Sequence, residues 1–388
     1  MDKRVPEVRF KGFTDDWEQR TLDEVASIIM GQSPSSSNYT NNPNDHILVQ
    51  GNADIKNGKV LPRVWTTQVT KAAKKGSFIL SVRAPVGDVA KTDFAVVLGR
   101  GVAGISGTDF IYHILVRMKL FNYWRKLSTG STFESINSED IKNANSLLPS
   151  KNEQKKISVF LNTVDNLITL QQSQLLIYKR LRKNLLQRIF PLNGRKVPRI
   201  RLANFNGNWE LCKLGDLGSV AMNKRIFKNQ TSSIGDVPFF KIGTFGGNAD
   251  AYISKELFKE YKSKYPYPKV GDILISASGS IGRFIVYDGK DEYFQDSNIV
   301  WLKHDDRLDN KFLLQFYSIV KWKGLEGSTI KRLYNKNILN TYISIPSINE
   351  QRSLGHFLEK IDKLIDLQQQ TLLQLEKLKQ YYLQKLFI

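Results

Sequence analysis

Catalytic, metal-binding and phosphate-cradling sites need particular side chains at particular spacings, and this chain supplies few of them. Its four histidines, His46, His113, His304 and His356, lie far apart, and no HExxH-like pair puts two ring nitrogens on one helical face. A single cysteine, Cys212, excludes a disulfide framework and a multi-cysteine zinc site. Lys213 beside it would favour the thiolate, yet a lone cysteine is more often buried and inert. Asp54, Asp88, Asp93 and Asp296 could act as acid, base or metal ligand, but helical spacing fixes no second carboxylate near them, and turn and cap roles account for such residues. Ser276, Ser278 and Ser280 lack the GxSxG elbow of a serine nucleophile. Gly99-Arg-Gly101 with Gly104 is a glycine-rich turn without the helix that completes a dinucleotide site, and no phosphate-binding GxxxxGK(S/T) occurs. Asn41-Asn-Pro-Asn44 lacks the Pro-Pro-aromatic element of an amino-methyltransferase pocket. The expectation is a chain with no catalysis, cofactor or metal of its own.

What the residues do suit is recognition of a polyanion. Lys+Arg 57 against Asp+Glu 37 leaves a formal charge of +20, which favours nucleic acid as partner. Arg, Lys, Asn and Gln pair with base edges, while hydroxyls and backbone amides hold phosphates. In the first half such residues are Gln32, Ser33, Asn38, Tyr39, Gln50, Arg83 and Thr132. In the second they are Lys224, Arg225, Lys241, Ser276, Ser278, Ser280, Arg283, Lys331 and Arg332. For any one of them ordinary surface variation is the blander explanation. Their division into two sets is what makes a pattern.

The elements that must position them repeat. Arg4-Val-Pro-Glu-Val-Arg-Phe-Lys-Gly-Phe13 recurs as Lys196-Val-Pro-Arg-Ile-Arg-Leu-Ala-Asn-Phe205. Gly76-Ser-Phe-Ile-Leu-Ser81 recurs as Gly271-Asp-Ile-Leu-Ile-Ser276, and Pro149-Ser-Lys-Asn-Glu-Gln154 as Pro346-Ser-Ile-Asn-Glu-Gln351. The offset drifts from 192 to 197, as a few loop insertions would produce. Between the shared stretches the polar loops diverge: residues 31–39 against 222–229, and 81–87 against 276–282, with Gln50-Gly51 aligned on Ile242-Gly243.

Each copy has two unlike parts. Residues 1–148 and 192–345 carry short apolar runs between Gly, Asn, Ser and Asp, read as strands, with short helices near 110–126 and 309–322. Residues 149–191 and 346–388 contain almost no Gly or Pro and read as long helices. Ser150 with Glu153, and Ser347 with Glu350, have capping-box spacing. Apolar residues at 160, 164, 167, 175, 178, 181, 185 and 189, and at 357, 361, 364, 372, 375, 378, 382 and 386, make a stripe on each helix. A long helix with an exposed stripe is not stable alone, so the two are expected to pack antiparallel, with Gln171 and Gln368 as a buried polar pair fixing register. The predicted fold class is α+β: two tandem α/β domains, each followed by a long helix, the helices forming an antiparallel coiled coil with pseudo-twofold symmetry.

Positive charge is spread: +4 over 1–150, +8 over 151–196, +7 over 197–346 and +1 over 347–388. The basic run 179–183 of the first helix has no equivalent in the second. No stretch approaches eighteen uninterrupted apolar residues, and the opening Met1-Asp-Lys-Arg does not read as a secretory leader, so a soluble cytoplasmic protein is expected.

In this combination the chain resembles the DNA-specificity subunit of type I restriction–modification systems over essentially its whole length. The duplicated Pro-Ser-x-Asn-Glu-Gln helix starts, the Leu-Gln-Gln helices at 170–172 and 367–369, the strands after Gly76 and Gly271, and the Val-Pro openings carry the resemblance. It implies two target-recognition domains, each reading one half of an asymmetric bipartite site in double-stranded DNA, with spacer helices setting the gap. It also implies assembly with two modification (methyltransferase) subunits that methylate adenine and with ATP-dependent restriction subunits. The unequal charge of the two helices departs from the duplication and puts equivalence of their outer faces in doubt. The competing readings are a self-sufficient DNA methyltransferase or nuclease, which would turn over alone, and a structural coiled-coil nucleic-acid-binding protein, which would prefer no defined duplex.

Overall fold

The computed structural model describes residues 5–127, 134–191, 196–324 and 331–388. The chain divides into two units, Met1–Gln172 with Gln370–Ile388, and Ser173–Gln369. Two long helices, Lys151–Ile189 and Ile348–Lys385, each contribute to both.

The first unit is built on the β-branched runs near residues 78–105. Phe78–Ser81 pairs antiparallel with Val89–Lys91 on one side and Val102–Ser106 on the other, in a six-stranded sheet. A five-stranded sheet holds His46–Val49 parallel to Val96–Leu98. Glu18–Thr21 and Asn145–Leu148 form a separate antiparallel pair. The core joins Phe78, Leu80, Ala103 and Ile105 from the sheet to Phe110, Ile111 and Leu115 of the helix Asp109–Leu120.

The second unit repeats this frame in reduced form. Ile273–Ser276 lies between Phe284–Val286 and Ile299–His304, Val237–Phe240 runs parallel to Tyr293–Phe294, and Glu210–Lys213 pairs with Tyr342–Ile345. The helix Asn310–Tyr317 places Phe312, Leu313 and Phe316 in its core.

Within each unit the long-helix segments run antiparallel. In the first, Phe160 meets Tyr382 edge-on and Asp165 pairs with Lys379 at 2.6 Å. In the second, Gln174 accepts from Gln368 Nε2 at 2.9 Å, and Arg182 grips Asp362 and donates to Gln315 at 3.0 Å. Gln171 and Gln368 are half-buried rather than buried. The expected stripe is also only partly the packed face: Leu167 is 43% and Leu364 49% exposed, while Leu161, Leu186, Leu358 and Leu383 are buried. Apolar residues occupy more than one face of each helix, and spacing alone does not show which face the domain covers.

Each core is closed from an unexpected direction. Leu383, Leu386 and Phe387, from the end of the second long helix, enter the first core, where Phe387 stacks on Phe110 at 5.1 Å. Leu186, Ile189 and Phe190, from the end of the first helix, enter the second core, with Phe190 on Phe312 at 5.1 Å.

The capping-box glutamates have another partner. Glu153 takes a bidentate pair from Arg9 at 2.8 Å, and Glu350 one from Arg201 at 2.7 and 2.8 Å, each carboxylate 1% exposed. Gln154 and Gln351 donate to the carbonyls of Pro149 and Pro346 at 2.9 and 3.0 Å. The duplicated Pro-Ser-x-Asn-Glu-Gln and Val-Pro-x-x-Arg segments are thus two halves of one clamp. A buried carboxylate demands a paired cation, and the planar guanidinium meets it with two parallel hydrogen bonds.

Candidate nucleic-acid interface

Most candidate residues fall on one face of each unit, at the end of the parallel strand pair. In the first unit Gly99 N donates to Val49 O at 2.7 Å, Val82 N to Gly101 O at 2.9 Å, and Ile136 N to Val82 O at 3.1 Å. In the second, Gln295 N donates to Phe240 O at 2.9 Å, Ala277 N to Asn298 O at 2.7 Å, and Leu333 N to Ala277 O at 2.8 Å. Bridges join Arg83 to Ser135 and Ser278 to Arg332. A single 3-10 turn follows the first loop of each copy, at Ser36–Asn38 and Lys228–Gln230. This backbone correspondence matches Gln50 with Lys241, one residue from the sequence alignment on Ile242. Both residues directly follow the parallel strand.

In the second unit this face is a cleft of about 490 Å³ whose lining includes Arg225, Lys241 and Arg332 with Gln295, Asp296 and Asn298. Arg225 Nε donates to Asp296 at 2.9 Å, and Lys241 pairs with Asp250 at 2.9 Å. Asn298 Oδ1 accepts from Ser278 Oγ at 2.7 Å, and Gln295 Oε1 from Ile242 N at 2.9 Å. Ser297 between them has φ 60°, and Asn298 N reaches back to Asp296 O at 2.6 Å in a tight three-residue turn. Such backbone persists where surrounding structure holds it, and it clusters at functional sites. Lys331 and Arg332 are exposed.

The remaining candidates of this unit lie outside the lining of the cleft. Lys224 lies over the Tyr265 ring at 5.0 Å, and Arg283 over Phe245 at 5.9 Å. Ser276 is 1% exposed; its hydroxyl donates to Ser280 O and accepts from Arg283 N at 3.0 Å. Ser276 therefore shapes the hairpin from inside, as Ser81 does in the first unit through Pro85 O at 2.9 Å and Asp88 N at 2.7 Å. Ser280 is exposed at the hairpin tip, and Ser278 is buried against Asn298.

The first unit builds the same face from amides and hydroxyls. Gln50 Nε2 donates to the Tyr39 hydroxyl at 3.0 Å, and Asn38 Nδ2 to Gln68 Oε1 at 2.8 Å. Ser33 Oγ accepts from Arg100 N at 3.0 Å, Gln32 is exposed, and Arg83 is exposed on the hairpin. Thr132 lies outside the described residues. Gln68, Arg100, Gln295 and Asn298 border these faces too, although no motif marks them as contacts. Their polar type was visible, but only strand pairing shows that they share the face.

The groups with catalytic potential are accounted for structurally. Asp54 accepts from Gln50 N at 2.8 Å as a cap, Asp93 pairs with Lys59 at 3.0 Å, Asp88 with Lys119, and Asp296 with Arg225. Burial pushes the Cys212 thiol up to about 11, and the sulfur donates weakly to Ile343 O. His113 is fully buried against Asn162 at 3.0 Å, and burial pushes its pKa down to about 4. No group of three or more metal-ligating side chains, and no helix long and apolar enough to cross a membrane, occurs among the described residues.

Known proteins share this duplicated architecture. The family model described as "Type I restriction modification DNA specificity domain" matches residues 14–177 and again 206–377. A Haemophilus influenzae protein named as a type I restriction enzyme specificity subunit is 56% identical over 167 residues, 43% of this chain and 43% of that protein. The chain thus aligns with less than half the length of that relative. The MjaIX specificity subunit of Methanocaldococcus jannaschii is 23% identical over 96% of this chain and 92% of that one. The crystal structure of the type I restriction–modification S subunit from M. genitalium superposes with a TM-score of 0.65 at 17% identity, covering 99% of each chain, a likeness of fold.

Proposed function

Because the chain belongs to the type I restriction–modification DNA-specificity family, matched by both of its copies, we propose that it is the non-catalytic subunit that selects the DNA on which partner subunits act. Residues 1–148 and 192–345 are the two target-recognition domains, each reading one half of an asymmetric bipartite site. Residues 149–191 and 346–388 are spacer helices whose packed length sets the unread gap. One observation carries this reading: the same hydrogen-bonded frame occurs twice, and the side chains it displays differ at matched positions, Gln50 against Lys241 and Ser135 against Arg332. The candidates for contact with DNA are those left exposed on this frame, Gln32, Arg83, Lys224, Arg225, Ser280, Arg283, Lys331 and Arg332, with half-buried Ser33, Asn38, Tyr39, Gln50 and Lys241 behind them.

Two modification subunits and the restriction subunits would supply adenine methylation and cleavage, in the cytoplasm. Exposed apolar side chains on the long helices offer them surface: Leu167, Leu170 and Leu378 in the first unit, Ile177, Leu181 and Leu367 in the second. The test is methyl-adenine mapping in a host carrying the chain and its partners. Replacing 192–345 by that of a relative should change one half-site alone. Inserting four residues near Thr169, about one turn or roughly 5.4 Å of helix, should lengthen the gap and leave both half-sites unchanged. Changed half-sites with a constant gap would reject the ruler, and a swap that altered both halves would reject independent reading.

A further inference from the structure

We infer that the cleft of the second unit reads a guanine through the major-groove edge, an inference that rests on the function proposed above. What selects the base is which half of each side-chain amide is free. Ile242 N–H donates to Gln295 Oε1 at 2.9 Å. A main-chain N–H can only donate, so the amide oxygen is engaged and the NH2 group is the half left for a ligand. At Asn298 the Oδ1 accepts from Ser278 Oγ at 2.7 Å, leaving Nδ2; a hydroxyl can also accept, so Gln295 is the amide that carries the inference. Arg332, held by its bridge to Ser278 and by buried Leu333, adds a guanidinium that can only donate. The acid of the cleft, Asp296, has its carboxylate 15% exposed and accepts from both Arg225 Nε and Ser297 Oγ through Oδ2.

The free amide and guanidinium groups are therefore donors. Guanine presents two acceptors, N7 and O6, to the major groove, whereas adenine and cytosine each present an amino donor there and thymine a methyl beside its one acceptor. Donors fit guanine and leave the amino groups of adenine and cytosine no acceptor but the carboxylate of Asp296, which Arg225 already engages. The corresponding face of the first unit has the opposite polarity. Gln68 Oε1 accepts from Ser35 N at 3.1 Å and from Asn38 Nδ2 at 2.8 Å, and Gln50 Nε2 is engaged with Tyr39. A free carbonyl oxygen remains on Asn38, which suits a base bearing an amino group.

The experiment uses the chain assembled with its modification subunits and duplexes spanning the mapped target. The half-site governed by 192–345 should contain guanine, and replacing that guanine by 7-deazaguanine should weaken binding. Gln295→Glu keeps the acceptor for Ile242 and turns the free NH2 into an oxygen; it should cost roughly 10- to 100-fold on the guanine-bearing duplex, with little effect on the other half-site. Asn298→Asp makes the same change independently, and the 7-deazaguanine duplex needs no altered protein. A half-site without guanine, or full binding to 7-deazaguanine, would overturn the inference and leave bipartite reading intact. So would an equal loss on all duplexes with a shallower salt dependence, which marks phosphate contact. No preference for any defined duplex would overturn the proposed function and this inference with it.

Discussion

Where the first unit has Gln50 bonded to Tyr39, the second has Lys241 paired with Asp250; where the first has Ser135 bridged to Arg83, the second has Arg332 bridged to Ser278. The hydrogen bonds that set these positions are nearly the same in both, from the parallel strand ends to the hairpin closed by Ser81 or Ser276. Backbone pairing and buried packing therefore keep the frame independent of the side chains it displays. Binding character can change at the face while the core stays closed, as the proposed function requires.

The comparison can be broken first at the clamp. Arg9→Ala and Arg201→Ala each strand a buried glutamate, and breaking such a pair costs about 3–5 kcal/mol. Hydrogen exchange followed along the chain should show similar losses, each confined to its own unit; a loss below about 1 kcal/mol in either would mean that the frames are not equivalent. Next is a difference between the cores. Where the first unit buries His113 against Asn162, the second has Gln315 beside Asp362. An unfolded histidine titrates near about 6.5, and His113 near about 4 when folded. Between those values the unfolded chain binds more protons, so the first unit loses stability as pH falls from about 6.5 towards 4, by up to roughly 3 kcal/mol, and gains none above that window. His113→Gln should remove this slope in denaturant titrations, and persistence of the slope would assign it to other groups. The smallest effect is expected at Lys241→Ala. Its exposed pair with Asp250 should change stability by less than about 1 kcal/mol, while the log–log salt slope of DNA binding should fall by about one if Lys241 meets a phosphate. An unchanged slope would place that lysine off the backbone path.

The duplication and both long helices were legible because they depend on local pattern: repeated motifs, and long stretches nearly free of Gly and Pro. The buried glutamates were visible as helix-start signals, but their partners were not, since Arg9 and Glu153, 144 positions apart, meet only when the chain closes into one fold. The face itself was half legible. Loop residues such as Arg225 and Arg332 stood out by type and by divergence between copies, whereas Gln295 and Asn298 follow an ordinary strand and gain meaning only through Ile242 and Ser278. The helix stripe was partly legible: its Ile189, Ile361 and Leu386 enter the domain cores, whereas Leu167 and Leu364 stay exposed and the buried Leu161, Leu186, Leu358 and Leu383 lie off it.

Those helix ends set a timetable for biosynthesis. The second unit is one continuous stretch, Ser173–Gln369, and can complete its contacts once that stretch has left the ribosome. The first unit, although made first, has Trp17 and Phe110 waiting for Phe387, and Glu7 for Lys385, 378 positions later. The earlier-translated unit is thus the later to mature, with its aromatic core open to solvent or chaperones until Phe387 has been made.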